Sequence, residues 1–207
     1  MKTLVTKTLV SIIGLLSACA ISFGQASDST YIQPKAGAAN FFVEGSASYF
    51  FASTGDHDNL AGVGISIGWR AGSVVKLQLE NGIYFSSKTR GYYYYSGYGY
   101  GNWYTVKEDL TVIPVLFSPS FCISLGSSGR AELRFTPSLG FSYIKVKNGY
   151  YNDSQTPFTY GFGIGFTYHF SRQFYADAGL RWLGWTSSGS VDTAGNAGLT
   201  LAGGWKF

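Results

Sequence analysis

Large apolar side chains recur at every second position along most of the chain between residues 40 and 207. The clearest case is FTYGFGIGFTYHF, residues 158–170. One face of this segment carries Phe158, Tyr160, Phe162, Ile164, Phe166, Tyr168 and Phe170, and the other carries glycine, threonine and His169. A period of two is that of a β-strand, whereas a helix would spread these rings around its circumference. The glycines also disfavour a helix, by roughly 1 kcal/mol each relative to alanine.

The same alternation predicts eight strands. They cover residues 41–51, 60–69, 74–85, 104–123, 130–143, 158–170, 174–182 and 197–207. The fourth lies in a charge-free stretch that could be mistaken for a membrane helix, but Pro114 and Pro119 would break such a helix. All regular structure is therefore expected to be β.

The predicted connections alternate in length, which indicates how the strands are arranged. Short turns are expected at residues 71–73, 126–129 and 171–172, and longer links at residues 54–59, 87–103, 148–157 and 187–196. Short periplasmic turns alternating with long extracellular loops are typical of outer-membrane barrels. The fold class predicted is all-β, an eight-stranded antiparallel transmembrane β-barrel with both termini on the periplasmic side.

The aromatic faces must then point outward into lipid, because eight strands cannot enclose so many rings and the opposite faces carry charge, serine and glycine. Closing the sheet satisfies every backbone group inside the bilayer. A soluble lipocalin-like barrel or a β-sandwich is the competing interpretation.

The N-terminus predicts export. Lys2 and Lys7 precede an uncharged apolar run, and small residues before position 27 favour a signal peptide of residues 1–26. Residues 27–39 would form a periplasmic segment and residues 40–207 the barrel, in a bacterial outer membrane. An alternative is lipidation of Cys19 within Leu-Ser-Ala-Cys. If Cys19 is removed, Cys122 is the only cysteine left and no intramolecular disulfide can form.

Charge and composition exclude several function classes. The formal net charge of the full chain is +4, and loss of Lys2 and Lys7 lowers it to about +2. We expect no nucleic-acid partner, because the charge is small and the chain is exported. His57 lies between Asp56 and Asp58, which is too few assured ligands for a metal site, and no cofactor is implied.

The end of the chain carries a family resemblance. Leu199, Leu201, Trp205 and Phe207 alternate up to the final residue, which resembles the β-signal read by the barrel-assembly machinery. With the strand pattern, the chain resembles the small eight-stranded outer-membrane proteins of the OmpX and OmpA-barrel kind, especially the porin-like barrel domains of Bacteroidota. VIPVLF, residues 112–117, resembles a strand motif of those domains, although Val112 stands where they have glutamate.

The resemblance implies a monomer surrounded by outer-membrane lipid and lipopolysaccharide. Lys145 and Lys147 lie at the outer end of the fifth strand, where lipopolysaccharide phosphates would be. The family resemblance specifies fold and compartment better than function. The function expected is a structural or surface-interaction role, with a narrow porin-like channel as the alternative.

Seven charged residues have the parity of the lumen face: Glu44, Lys76, Glu80, Glu132, Arg134, Asp177 and Arg181. In a ring of eight, the first strand faces the fifth and the third faces the seventh. We therefore predict that Glu44 approaches Arg134 and that Glu80 approaches Arg181. Such pairs would fill a lumen that has no room for a channel, or would gate a narrow pore.

A tyrosine-rich tract, residues 89–104, holds seven of the sixteen tyrosines and falls in the second long outer connection. It predicts a solvated loop whose Trp103 and Tyr104 descend into the outer aromatic girdle. A sharper hypothesis is an adhesive surface for an extracellular ligand, because tyrosine offers large contact area and a polar tip. That surface would consist of Tyr92, Tyr93, Tyr94, Tyr95, Tyr98 and Tyr100.

Catalysis is the third hypothesis, because some small barrels modify lipid A. His169-Phe170-Ser171 resembles part of the His-x-Ser motif of the lipid A deacylases. It falls at the periplasmic end of the sixth predicted strand, and the residues after it provide no glutamate as a third partner. We therefore expect a non-catalytic protein.

Overall fold

The computed structural model describes residues 39–51, 59–96, 100–126, 129–149, 152–186 and 195–207. The predicted signal peptide, nearly all of the predicted periplasmic segment, Cys19 and His57 lie outside these residues. The strands are β1 (Ala39–Phe51), β2 (Leu60–Ala71), β3 (Val75–Ser96), β4 (Tyr100–Leu125), β5 (Ala131–Lys147), β6 (Asn152–Gln155), β7 (Phe158–His169), β8 (Phe174–Trp185) and β9 (Gly195–Lys206).

Eight of these strands close into a ring. The order around it is β4, β3, β2, β1, β9, β8, β7 and β5, and pairing between β4 and β5 closes it. Each neighbouring pair is antiparallel, as the sequence predicts for a barrel. The short β6 pairs only with the outer end of β5, in a stretch predicted as loop.

No helix long and apolar enough to cross a membrane occurs in the part of the chain that the structure describes.

The turns at the predicted periplasmic end are tight. Gly72, Gly126 and Gly129 adopt positive φ angles of 72°, 77° and 61°, a region in which a Cβ atom is strained. In the turn before β8, the Ser171 hydroxyl accepts hydrogen bonds from the backbone N–H groups of Gln173 and Phe174. These short links fix each strand beside the next.

The outer surface of the ring is an apolar belt, as predicted from the alternation. Phe135, Leu139, Phe162 and Ile164 are each about half exposed, at 46%, 55%, 47% and 51%. A water-soluble protein rarely exposes so large a contiguous apolar surface. Since every strand of the ring has two partners, most backbone groups of the belt are paired within the sheet and can face hydrocarbon.

The polarity of the two faces inverts toward the outer ends of β4 and β5. Beyond Thr111, the outward positions become Asp109, Lys107, Lys145 and Lys147. Most inward positions there are apolar and buried, namely Val106, Leu110, Ile144 and Val146, and the buried Glu108 lies between the first two. Inside lipid the apolar face must point outward, and in water it must point inward. The inversion therefore marks the outer membrane boundary of these strands.

The link predicted at residues 87–103 is not a loop. β3 and β4 continue as a hairpin paired from Ser87–Asp109 to Ser96–Tyr100. The prediction that Trp103 and Tyr104 descend into the girdle is therefore wrong. Trp103 pairs with Tyr93, eight positions beyond Thr111, and is 74% exposed. Tyrosine favours strands even outside the membrane, and consecutive tyrosines do not produce the apolar alternation that marks a membrane strand.

Candidate functional sites in the lumen and the outer hairpin

The seven charged residues predicted for the lumen all lie on inward-facing positions. Five are nearly inaccessible, and the side chains of Arg134 and Arg181 are only 11% and 14% exposed. Both predicted cross-lumen pairs are present. Arg134 Nη1 lies 3.7 Å from Glu44 Oε2, and Arg181 Nη1 lies 2.5 Å from Glu80 Oε2.

The lumen side chains form groups that we call layers. Glu44 is the centre of the middle layer. Lys76 Nζ donates to its Oε2 at 2.9 Å, and the Tyr175 hydroxyl donates to the same oxygen at 3.0 Å. The ammonium of Lys76 also lies 4.1 Å from the centre of the Phe42 ring, a cation–π contact. Strands β1, β3 and β8 are thus joined across the lumen by one carboxylate oxygen.

Arg134 links this layer to a second carboxylate. Its Nη2 donates to Asp177 Oδ1 at 2.7 Å, and the Thr167 hydroxyl donates to Asp177 Oδ2 at 2.6 Å. Because each buried charge has an opposite charge within hydrogen-bonding distance, its desolvation is offset. Arg134 therefore connects β1, β5 and β8.

A third layer lies nearest the periplasmic turns and includes three residues that the sequence analysis did not assign to the lumen. Arg70 Nη1 donates to Glu132 Oε2 at 2.8 Å, and His169 Nε2 lies 3.3 Å from Glu132 Oε1. Lys206 Nζ lies 3.2 Å from His169 Nδ1. Arg70 and Lys206 directly follow the outward Trp69 and Trp205, so strict alternation would have placed both in the lumen.

Two small cavities separate these side chains. One of about 40 Å³ is lined by Glu80, Arg181 and Asp177, among others. The other, of about 10 Å³, is lined by Lys76, Glu132 and His169, among others. Arg134 lines both cavities. A single water needs roughly 10–15 Å³, so the larger space has room for a few waters and neither has room for a larger ligand.

An apolar cluster fills the lumen on the outer side of the ion pairs. The strand pattern does not predict this cluster. Its members are Phe50, Leu60, Tyr84, Leu110, Val112, Leu116, Ile144, Val146, Leu183 and Trp185. Phe50 and Tyr84 pack edge to face with ring centres 5.4 Å apart. The lumen is thus closed by a core like that of a soluble protein toward the outside and by ion pairs toward the periplasm.

The predicted adhesive residues fall on the outer hairpin. Tyr92, Tyr93, Tyr94 and Tyr95 lie in β3, and Tyr100 begins β4. Tyr98 lies outside the described residues. From Phe85 at the membrane boundary to Ser96, β3 advances eleven residues, about 36 Å along the strand. The main chain therefore carries four consecutive tyrosines well beyond the membrane surface.

The residues considered for catalysis are separated from each other. His169 points into the lumen and is 1% exposed, whereas the Ser171 hydroxyl holds the periplasmic turn. Glu132 does supply the carboxylate that the local sequence lacks, from the neighbouring β5. Cys122 lines the same cavity of about 10 Å³, which is too small for a lipid or sugar substrate. No group of metal-ligating side chains occurs within the described ranges.

The residues predicted as the assembly signal face lipid. Leu199, Leu201, Trp205 and Phe207 are between 41% and 76% exposed. Leu199, Leu201 and Trp205 lie along β9, which pairs with β1, and Phe207 follows β9. The Phe207 N–H donates to the Phe41 carbonyl at 2.8 Å. Their reading by the assembly machinery remains a prediction.

Comparison with solved structures shows which proteins share this architecture. Neisserial surface protein A superimposes with a TM-score of 0.56 at 16% identity, covering 82% of this chain and 97% of that one. A major outer-membrane protein of Thermus thermophilus gives 0.50 at 14% identity, covering 82% and 100%. The N-terminal barrel domain of Pseudomonas aeruginosa OprF gives 0.49 at 20% identity, covering 81% and 97%.

The chain has the fold of the small outer-membrane barrels. No known family profile and no curated protein matches the sequence. The shared fold, the closed ring and the lipid-facing belt together place the protein in a bacterial outer membrane.

Proposed function

We propose that the protein is a non-catalytic outer-membrane barrel that acts at the cell surface through the β3–β4 hairpin. The observation that carries this proposal is the continuation of both strands far beyond the lipid-facing belt, with paired register up to Ser96–Tyr100. The barrel serves as a rigid anchor, and the hairpin presents the tyrosines to an extracellular ligand.

The chemistry of the hairpin suits contact with another surface. Tyrosine buries a large ring at low entropy cost while its hydroxyl can donate or accept a hydrogen bond. Pairing of the two strands holds the backbone in place before binding, which reduces the ordering cost. Beyond Asp109, no described strand pairs with the second edge of β4, so the ribbon stands free of the barrel wall.

The filled lumen favours this role over transport. The ion-pair layers occupy the periplasmic part and the apolar cluster occupies the outer part. Water and ions would have to cross both. A barrel of eight strands whose interior is packed with side chains is an anchor rather than a channel.

The test compares three proteins displayed in the outer membrane of a non-adherent Gram-negative host. They are the wild type, a variant in which Tyr92, Tyr93, Tyr94, Tyr95, Tyr98 and Tyr100 are replaced by serine, and one in which the same six become phenylalanine. Binding to immobilised host glycans and matrix proteins is measured, and cell aggregation is scored separately. Heat-modified gel mobility shows whether each barrel has folded.

We expect the serine variant to lose binding and the phenylalanine variant to keep the part that depends on ring contact. Because the substitutions lie outside the membrane belt, both variants should fold. Full binding by a folded serine variant would contradict the proposal and leave the hairpin as a solvated extension only.

A narrow channel is the second candidate, and the cavities on either side of Arg134 are the observation that favours it. Movement of one side chain would join them. Conductance of the folded protein in planar bilayers should be compared with that of Arg134→Ala and Arg181→Ala variants. Stable current steps in the wild type, altered by either variant, would make the lumen the functional site. Absence of conductance in all three folded proteins would exclude the channel.

A further inference from the structure

Among the described strands, the lipid-facing belt contains one carboxamide. Asn81 lies on β3 between the outward Leu79 and Ile83, and its side chain is exposed. Counting the apolar span of β3 from Val75 to Phe85, Asn81 lies near its middle. In the described strands, the other outward positions between the two aromatic girdles are apolar or glycine.

The surroundings of Asn81 give its amide nothing to bind within the barrel. Its neighbours across the sheet are Ile65 on β2 and Val115 on β4, each 54% exposed. None of the hydrogen bonds among the described residues involves the Asn81 side chain. A carboxamide without partners in hydrocarbon is unfavourable, and polar residues at this depth usually mark contacts within the membrane.

The backbone beside Asn81 is also incompletely paired. Pairing between β3 and β4 stops at Asn81–Val115 and resumes at Tyr84–Val112. Pro114 lies in this interval and has no N–H to donate. The sheet is therefore locally weakened where the amide emerges, and packing of a second protein surface there would shield it from lipid.

We propose that the β2–β3–β4 wall around Asn81 is a homodimer interface within the membrane. Two copies assembled into one membrane have the same orientation, so their two-fold axis must run along the membrane normal. A residue near that axis then meets its own copy at the same depth. A carboxamide both donates and accepts, so two Asn81 side chains can satisfy each other, whereas an unrelated partner would need a polar group at the matching depth.

The composition of the wall fits this partner. Around Asn81 the exposed side chains include the aliphatic Ile65, Ile67, Leu79 and Val115, with the ring of Phe117 beside Leu79, whereas most outward positions of β7 carry rings. Opposed aliphatic walls can pack closely around a central hydrogen-bonded pair. The sequence alone predicts a monomer, and the position of Asn81 is the observation that favours a dimer.

The first experiment is cross-linking of the full chain assembled in a Gram-negative outer membrane, in a Cys122→Ala background. Leu79→Cys, which places the thiol beside Asn81 on the lipid-facing wall and leaves the amide in place, should form a disulfide-linked dimer when an oxidant is added. Leu180→Cys is the matched control, because Leu180 is lipid-facing, 65% exposed and on β8, the strand opposite β3 in the ring. Equal cross-linking from both positions would indicate random collision and overturn the proposal.

The second experiment measures association by energy transfer between labelled copies in lipid vesicles as lipid is increased. Asn81→Leu should weaken association about 3- to 30-fold, the range expected for one intramembrane amide contact. Asn81→Gln retains the amide and should retain association. Since leucine suits lipid contact, the Asn81→Leu barrel should fold as well as the wild type, which gel mobility will show.

Three further outcomes would overturn the proposal. One is a wild type that stays monomeric at every protein-to-lipid ratio. Another is a dimer that Asn81→Leu leaves unchanged. The third is exclusive cross-linking of Leu79→Cys to a different protein, which would assign this wall to a heterologous partner instead.

Discussion

Removing the charge of Glu44 tests whether the lumen network stabilises the barrel. In Glu44→Gln the side chain keeps its shape, but the buried Lys76 ammonium loses its nearest carboxylate, 2.9 Å away. Lys76 then retains neutral partners: the Tyr175 hydroxyl at 3.3 Å, the Phe42 and Tyr175 rings, and the amide oxygen of the new glutamine. Arg134 keeps Asp177 as its partner.

The expected loss of stability in Glu44→Gln follows from the distance between Lys76 and Glu44 and from the burial of both side chains. At an effective dielectric constant near 20, two charges 2.9 Å apart attract by about 6 kcal/mol. Part of this lost attraction is offset, because burying an uncharged glutamine does not carry the desolvation cost of burying a carboxylate. Breaking a buried pair from one side costs about 3–5 kcal/mol, so Glu44→Gln should lower the free energy of unfolding by about that amount.

A double-mutant cycle isolates the pair. Lys76→Met alone should also destabilise the barrel, because it leaves the Glu44 carboxylate with fewer donors, whereas Glu44→Gln with Lys76→Met removes both charges and should recover most of the loss. Unfolding of the refolded barrel in urea can be followed by the fluorescence of its five tryptophans. The expected coupling energy is about 2 kcal/mol or more. Additive effects would refute the reasoning, since they would mean that the two charges do not stabilise each other.

Two further predictions concern backbone packing and surface charge. Gly140→Ala should destabilise the barrel by about 1–3 kcal/mol, because the new methyl group would overlap the Val115 carbonyl oxygen, whereas Gly45→Ala meets open space and should be neutral in the same urea unfolding. Lys107→Ala should raise the pKa of Asp109, which the Lys107 hydrogen bond holds below its ordinary value outside the membrane. The stabilisation from this exposed pair is present at neutral pH and is lost as the pH falls through the lowered pKa of Asp109. NMR titration should therefore show the pKa shift in Lys107→Ala, with little change in the free energy of unfolding. An unchanged pKa would show that Lys107 and Asp109 are not paired in solution.

The pattern of outward and inward residues could be predicted because strand alternation is local. Once Phe162 and Ile164 face lipid, Gly163 and Gly165 must face the lumen, whatever the rest of the chain does. The same parity placed Glu44, Arg134, Glu80 and Arg181 inside. Their pairing across the ring then followed from counting eight strands.

The partners within the lumen depend on register and tilt, which no single strand contains. Glu132 meets Arg70 and His169 because β2, β5 and β7 bring their periplasmic ends together, although these residues are far apart in sequence. Tyr175 reaches Glu44 for the same reason. Such contacts arise only when the sheet closes.

The sequence by itself determined the compartment, the fold class and the face on which each side chain lies, because these follow from export and from a period of two. Only the tertiary structure decided that the outer lumen is an apolar core, that the tyrosine tract is a paired hairpin and that the Asn81 side chain has no hydrogen-bond partner among the described residues. The physical reason is that the medium around a strand changes from lipid to water along its length. Crossing from lipid to water at Thr111 reverses which face carries the apolar side chains, and that boundary is set by how neighbouring strands align.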